Sequence, residues 1–314
     1  MPTLKELSIK YATKQPHQIN HLLEETPILN IVPFEESSHS MWNAYDEVTN
    51  IDGAGFVDLD APLPSVGVDT ELKKVDLSIM GGKMTVGEDK ARLMGGKAAY
   101  FANKMPAVLR QTGMNTEKAI LYDNIRQYTI DKHTSSNPRM IDAGGSGTGY
   151  TLMAVRFVGG ETTGLYSPQS FSDGTMLKAK PINGGNLYNI AESGQPEKLG
   201  YGVRLKNYFG FMIANMETVA CIMNITIPIG TSTGRKIPTA MMVDDLLDLV
   251  RVNSNTFLCC HPRVLTALRE IKGSLLQMIP ENKNIDRSIS HWESTPILTS
   301  YNFNKGTDAN VTVP

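Results

Sequence analysis

Three stretches of the 314-residue chain bring together residue types that can do chemistry. In the run Gly144-Gly145-Ser146-Gly147-Thr148-Gly149, Ser146 sits almost as in a G-x-S-x-G nucleophile elbow, but the closing position is Thr148 and the following residues read as a strand, where an elbow needs a helix. No Gly-Lys-Ser/Thr ends that run, or the run from Gly159 to Gly164, so neither is a phosphate loop and both read as flexible turns. Cys259-Cys260-His261 offers two thiols and an imidazole to a metal or a substrate. Adjacent residues on a strand point to opposite faces, so these three cannot easily converge, and they read as buried thiols ahead of a helix opening at Pro262. Asp244, Asp245 and Asp248 could form an acid/base pair, yet they fall on the polar side of a predicted helix, the first two near enough its start for the dipole to favour them. His17, His21, His39, His133 and His291 are scattered without ligand spacing, and His17 and His21 read as surface residues. No catalytic, cofactor-binding or metal-ligating residue is assigned, and the chain is not read as an enzyme.

Composition narrows the class further. A net charge of -2 and a pI of 6.3 provide no overall basic field for strong, sequence-independent nucleic-acid binding. Three cysteines without a CxxC pair make no disulfide framework and suit a reducing compartment. The N-terminal residues lack the apolar core of a signal peptide, and no run is long enough to span a bilayer. The 27 glycines and 17 prolines are spread along the chain, which predicts many turns and much strand.

The elements that must position everything else follow from periodicity. Gly96 to Asn124 holds the longest helical pattern, with Met105, Val108, Leu109, Thr112, Ala119 and Ile120 in phase. Pro106 suits a first turn, so a short turn feeding a longer helix is expected, weakened locally at Gly113. Residues 1 to 40, with Leu4, Leu7 and Tyr11 at helical spacing and an apolar stretch at 26 to 34, are too slight for a core and need other chain to lie against. Met41 to Val86 reads as a long acidic hairpin, its clearest strand Val75 to Ile79, its tip around Pro62 to Gly67. Tyr128 to Asp142 reads as mixed and polar, Thr151 to Val158 as a buried strand, 168 to 200 as irregular loop, and Gly202 to Ile225 as long strand. The last third alternates helix Thr239 to Val250, strand Thr256 to Cys260, helix Pro262 to Lys272 ending at Gly273, and strand Pro296 to Ser300: a compact α/β subdomain. Val264, Leu265, Leu268 and Ile271 give the second helix its buried stripe.

In this order the parts resemble the major capsid proteins of tailed bacteriophages with the Hong Kong 97-type fold, and among them those of short-tailed phages. The residues that carry the likeness are Leu22 to Asn30, Ile141 to Gly147 with the strand to Val158, Gly164 to Pro168, Gly202 to Tyr208, Ile213 to Met216, Asp244 to Val250, Phe257 to Val264, and Pro296 to Ser300. The resemblance implies an α+β fold with an N-terminal arm at 1–40, an extended loop hairpin at 41–86, a peripheral domain with spine helix and long strands at 87–225, an axial domain at 226–300 and a C-terminal segment at 301–314. It implies self-assembly into pentamers and hexamers of an icosahedral shell around packaged double-stranded DNA, with no cofactor and no membrane. It also implies a portal, a decoration protein, non-specific contact with the DNA, and a virion location after assembly in the host cytoplasm. The short arm points to a separate scaffolding protein, and no lysine or asparagine matches the crosslinking seen in some members. The alternatives are the shell of an encapsulin-type bacterial nanocompartment and a ligand-binding module built on the loop-rich 159 to 200.

Overall fold

The computed structural model describes residues 26–58, 62–167, 178–191, 193–228, 234–272 and 291–312. The expectations for Leu4, Leu7 and Tyr11, for His17 and His21, and for the helix stop at Gly273 lie outside them.

The molecule is mixed helix and strand, built on two six-stranded sheets and one long helical spine. The first sheet runs β1 (Phe34–Glu36), β7 (Thr162–Tyr166), β10 (Leu199–Ile213) and β4 (Ser78–Gly87), with β8 (Lys178–Pro181) and β9 (Tyr188–Asn189) also paired to β10. The second runs β13 (His291–Trp292), β14 (Thr295–Thr299), β12 (Thr256–Cys260), β6 (Tyr150–Arg156), β11 (Val219–Ile225) and β5 (Met140–Asp142). Strands β6 and β11 lie in its interior and are apolar on both faces, which is why they read as unbroken hydrophobic runs. Met153, Val155, Cys221, Met223 and Cys259 enter one core with Ile120, Leu121 and Ile125 of the spine. Leu152, Ala154, Ala220, Ile222 and Cys260 enter a second core under α4 (Ala240–Val250) and α5 (Pro262–Lys272). The period of two along each strand divides the residues between the cores.

Several expectations change. After the short α1 (Glu88–Leu93), helix α2 (Lys97–Ala119) is unbroken and contains Pro106, then continues through a π-helical stretch (Ile120–Arg126) into α3 (Gln127–Lys132). A proline inside a helix costs roughly 3 kcal/mol through a lost hydrogen bond and a ring clash; burial of Met105, Gly113, Thr116, Ile120 and Leu121 on both sides of it holds the helix together. Gly113 is a buried position inside the unbroken helix, and Gln127–Lys132 is helix within the stretch read as mixed and polar. The pattern Val75 to Ile79 is not one strand: β3 (Gly67–Asp76) stops at the buried Leu77, and β4 leaves the hairpin to pair with β10. Residues read as irregular loop contain β8 and β9, whose β-structure comes from pairing with β10 rather than from any alternation of their own. The span Gly202 to Ile225 is two strands in two different sheets, separated at 214–218. The α/β unit at 226–300 does not close on itself, since β12 pairs with β6, from residues 150–156. The apolar residues at 28 to 34 lie against the body of their own chain, with Ile28, Leu29, Val32 and Phe34 in the first core and β1 parallel to β7.

The helix α5 stripe is also redistributed. Val264, Ala267 and Leu268 are fully buried, whereas Leu265 and Ile271 are only partly covered. Leu268→Asp should therefore lower stability by about 4 kcal/mol, against a smaller loss for Leu265→Asp, as read by denaturant unfolding; equal losses would mean the face is misassigned.

Candidate assembly surfaces

The spine carries a carboxylate where its phase demands an apolar residue. Glu117 lies four residues after Gly113 and four before Leu121, and is 0% exposed. Its Oε2 accepts from the backbone N–H groups of Ile28 (3.0 Å) and Leu29 (3.2 Å). Its Oε1 accepts from the Ser300 hydroxyl and from Asn302 Nδ2 at 2.9 Å. One side chain thus fixes segments 89 residues before it and 183 residues after it to the same point on the spine. Burial pushes its carboxyl above the ordinary range, and the four donors pull it back without cancelling that effect.

A second anchor ties down the chain end. Buried Asp308 accepts from Thr151 Oγ1 (2.7 Å), Asn304 Nδ2 (2.9 Å) and the Tyr122 hydroxyl (3.3 Å), while Asp308 and Gly149 exchange backbone hydrogen bonds. Burial, and next the Asp308 charge, raise the Tyr122 phenol above its usual value. The glycine run lies beside this strap. A Cβ on Gly145 would stand 2.2 Å from the Asn224 carbonyl oxygen, and one on Gly149 would stand 2.5 Å from that of Ile225. The run is thus a place of close backbone approach rather than a flexible turn, and Asn224, with φ 58°, is the bulge it packs on.

Among the described residues the hairpin of β2 (Trp42–Asp52) and β3 stands out as exposed, its strands pairing only with each other along about 35 Å of ladder. Phe56, Leu63 and Leu72 are 112%, 86% and 73% exposed. Its root is fastened. Glu47 is 4% exposed and its carboxylate accepts from Lys132 Nζ at 2.9 Å, with Lys73 Nζ at 3.3 Å. Burial opposes ionisation of Glu47, but the two ammonium groups outweigh it and hold the carboxyl below the ordinary range. The hydroxyl of Tyr128 donates to the same carboxylate at 3.4 Å, so the end of the spine grips the hairpin root.

The sequence candidates for chemistry resolve into packing. Cys259 and Cys260 point into different cores, and burial pushes the Cys221 and Cys260 thiols up to about 12, far from thiolate. His261 Nδ1 accepts from the Arg263 N–H and caps α5. His133 Nδ1 accepts from the N–H groups of Arg139 and Met140. No acid stands in the first turn of α4, so the dipole does not explain its aspartates; Asp244 accepts from Trp292 Nε1 at 2.8 Å instead. Among the described residues no three His, Cys, Asp or Glu side chains gather as a metal site would require. No helix among them is long and apolar enough to cross a membrane. Sequence reading missed Glu117, Glu47 and Asp308; only Glu117 left a signal, as a charge in phase with the buried stripe.

Glu117→Gln turns an amide N–H toward N–H or O–H donors and should lower stability by about 3 kcal/mol. Because the folded carboxyl holds its proton more tightly than the ordinary value of 4.5, its contribution fades as pH rises through the folded value. The difference between wild type and variant should shrink over that rise, as read by denaturant melts at stepped pH. For Glu47 the sign is opposite: its latch is present above 4.5 and is lost as pH falls through the lowered folded value. Lys132→Met should move the acid-induced change in Trp42 fluorescence to higher pH, and an unchanged midpoint would remove Lys132 from the latch.

No protein-family model and no curated protein sequence matches the chain. Solved structures do match its fold. A chain of bacteriophage Epsilon15 is 12% identical, with a TM-score of 0.54 and 88% of each chain covered. A chain of the bacteriophage JBD30 capsid is 9% identical, with a TM-score of 0.52 over 90% of this chain and 92% of that one. A chain of that capsid decorated with minor capsid protein trimers is 10% identical, with a TM-score of 0.52 over 87% and 89%. At these identities the likeness is one of fold, and the fold of this chain is that of a phage capsid protein.

Proposed function

We propose that the chain is the major capsid protein of a tailed phage, assembling into an icosahedral head shell that encloses double-stranded DNA. The observation that carries this reading is the hairpin: in a capsid protein fold, among the described residues, some 35 Å of two-stranded ladder pairs with no third strand, and beyond the Glu47 latch the large apolar side chains Phe56 and Leu63 stand exposed. Isolated hairpins of this kind are marginal in water, so burial against a neighbouring copy accounts for both the exposure and the rigid root. Repeated heterologous contacts that close around symmetry axes then produce a shell. In this reading the hairpin is the extended loop and the helix from Lys97 to Lys132 is the spine of the peripheral domain. The axial domain is the sheet around β12 with α4 and α5, and a separate scaffolding protein, a portal and a decoration protein complete assembly in the host cytoplasm. The chain acts by binding copies of itself rather than by catalysis.

Negative-stain electron microscopy of the purified chain, expressed alone and with the proteins encoded beside it, tests the reading. Closed shells, pentamers or hexamers are expected; a persistent monomer under every condition would overturn it. Packaged DNA inside the shells is expected, whereas enzyme cargo would make the shell a nanocompartment. Deleting Asn50 to Asp69 should leave a soluble body with an unchanged melting temperature and no shells, and normal shells from the deletion would show that the hairpin is not the bridging element.

A further inference from the structure

The charges on the first sheet are segregated. Strands β4, β8 and β10 contain Lys83, Lys178, Lys180, Arg204 and Lys206 and not one aspartate or glutamate, in a chain whose net charge is -2. Register brings the cations together: Arg204 lies opposite Lys83 on one side and Lys180 on the other, and Lys206 lies opposite Lys178. Directly opposed residues share a face with Cβ atoms about 4.5–5.5 Å apart, where like charges destabilise the sheet. Lys83, Lys180 and Arg204 are exposed, and they make no ion pair with another described residue. The alternate residues Leu205, Asn207 and Phe209 are buried, so Arg204, with Lys83 and Lys180 opposite it, stands on the outer face. A face that the fold leaves with this repulsion is one that an anionic partner would relieve.

The chain contains such a partner. Residues 48 to 72, the distal hairpin, hold Asp52, Asp58, Asp60, Asp69 and Glu71 and no lysine, arginine or histidine. Asp69 and Glu71 stand two apart on β3 and so share a face, the same spacing as Arg204 and Lys206 on β10. Glu71 also pairs with Lys73 at 2.9 Å. Apolar surface accompanies the cations, with the exposed Ile79, opposite Tyr208, beside their row. Among the described residues no ion pair joins the distal acids to these cations within one chain.

We propose that the cationic face of β4, β8 and β10 is the seat for the acidic distal hairpin of a second copy of this chain. The inference rests on the shell reading and adds to it the receiving surface and an electrostatic basis for the contact. It makes assembly sensitive to salt, since exposed pairs are screened within about 10 Å at 0.1 M ionic strength. It also selects against wrong docking, because a hairpin laid on any acidic surface would meet like charge.

Charge exchange in the full chain tests it. K83E/R204E and D58K/D69K should each cut particle yield by at least about tenfold at moderate salt, and the two pairs combined in one chain should recover most of it. All three should melt near the wild-type temperature. K83Q/R204Q, which only removes the opposed like charges, should melt at or above wild type and assemble less well. Wild-type yield from K83E/R204E would overturn the proposal, as would a combined variant that folds like its parents but stays unassembled. Normal particles that have merely lost nucleic acid would overturn it in favour of phosphate binding on this face. Failure of the shell reading itself would look different, because the wild-type chain would then form no particles at all.

Discussion

A single buried carboxylate holds three distant parts of this chain in register. Glu117 sits on the spine helix with every lone-pair direction in use, two backbone N–H groups from the segment at Ile28 and two side-chain donors from Ser300 and Asn302. An unpaired charge at that depth would cost several kcal/mol, so the site is satisfied only when all the segments are in place. That makes it a device for uniqueness more than for stability: an apolar residue there would pack, but would not dictate which strand follows which. The sheet that carries β12 and β14 and the segment that starts β1 both take their position on the spine from this point.

The fold spends its packing unevenly. Two cores share the second sheet, and each strand alternates residues between them, while the hairpin has almost none of this. Among the described residues its attachments to the body lie in its inner half, where Lys132 and Tyr128 hold Glu47, Asn43 donates to Met212, and Leu77 is buried beside Leu165 and Met212. A firm root with an uncovered tip presents a surface in a fixed direction without supplying its own cover. In the proposed shell this is a workable division: the body would fold alone, and the arm would gain its cover from a neighbouring copy.

The strands and helices of the last third were readable because each is short, amphipathic or wholly apolar, and bounded by turn residues such as the Thr239 cap and the Pro262 start. Cys259 and Cys260 were legible as opposed thiols from the period of a strand alone. The misreadings share a cause. Pro106 inside the helix, the break at Leu77 and the strands β8 and β9 are all settled by what packs or pairs with them, and local propensity is silent on that. Likewise, a glycine run looks the same whether it is a loose turn or, as at Gly145 and Gly149, a place where two backbones nearly touch.

By itself the sequence determined the alternation of apolar and polar residues, and hence which elements exist and which faces they bury. It also determined an acid-rich, base-free hairpin tip and the absence of any recognisable catalytic motif, because these depend on residue type and spacing along the chain. Only the tertiary structure decided which strands share a sheet, that Glu117 and Asp308 are anchors, that Glu47 is the hairpin's fastening, and that Lys83, Lys180 and Arg204 stand side by side. Those are contacts between residues up to 186 positions apart. Charge and hydrogen-bond partners at that separation are chosen by register and packing, which no local window of sequence contains.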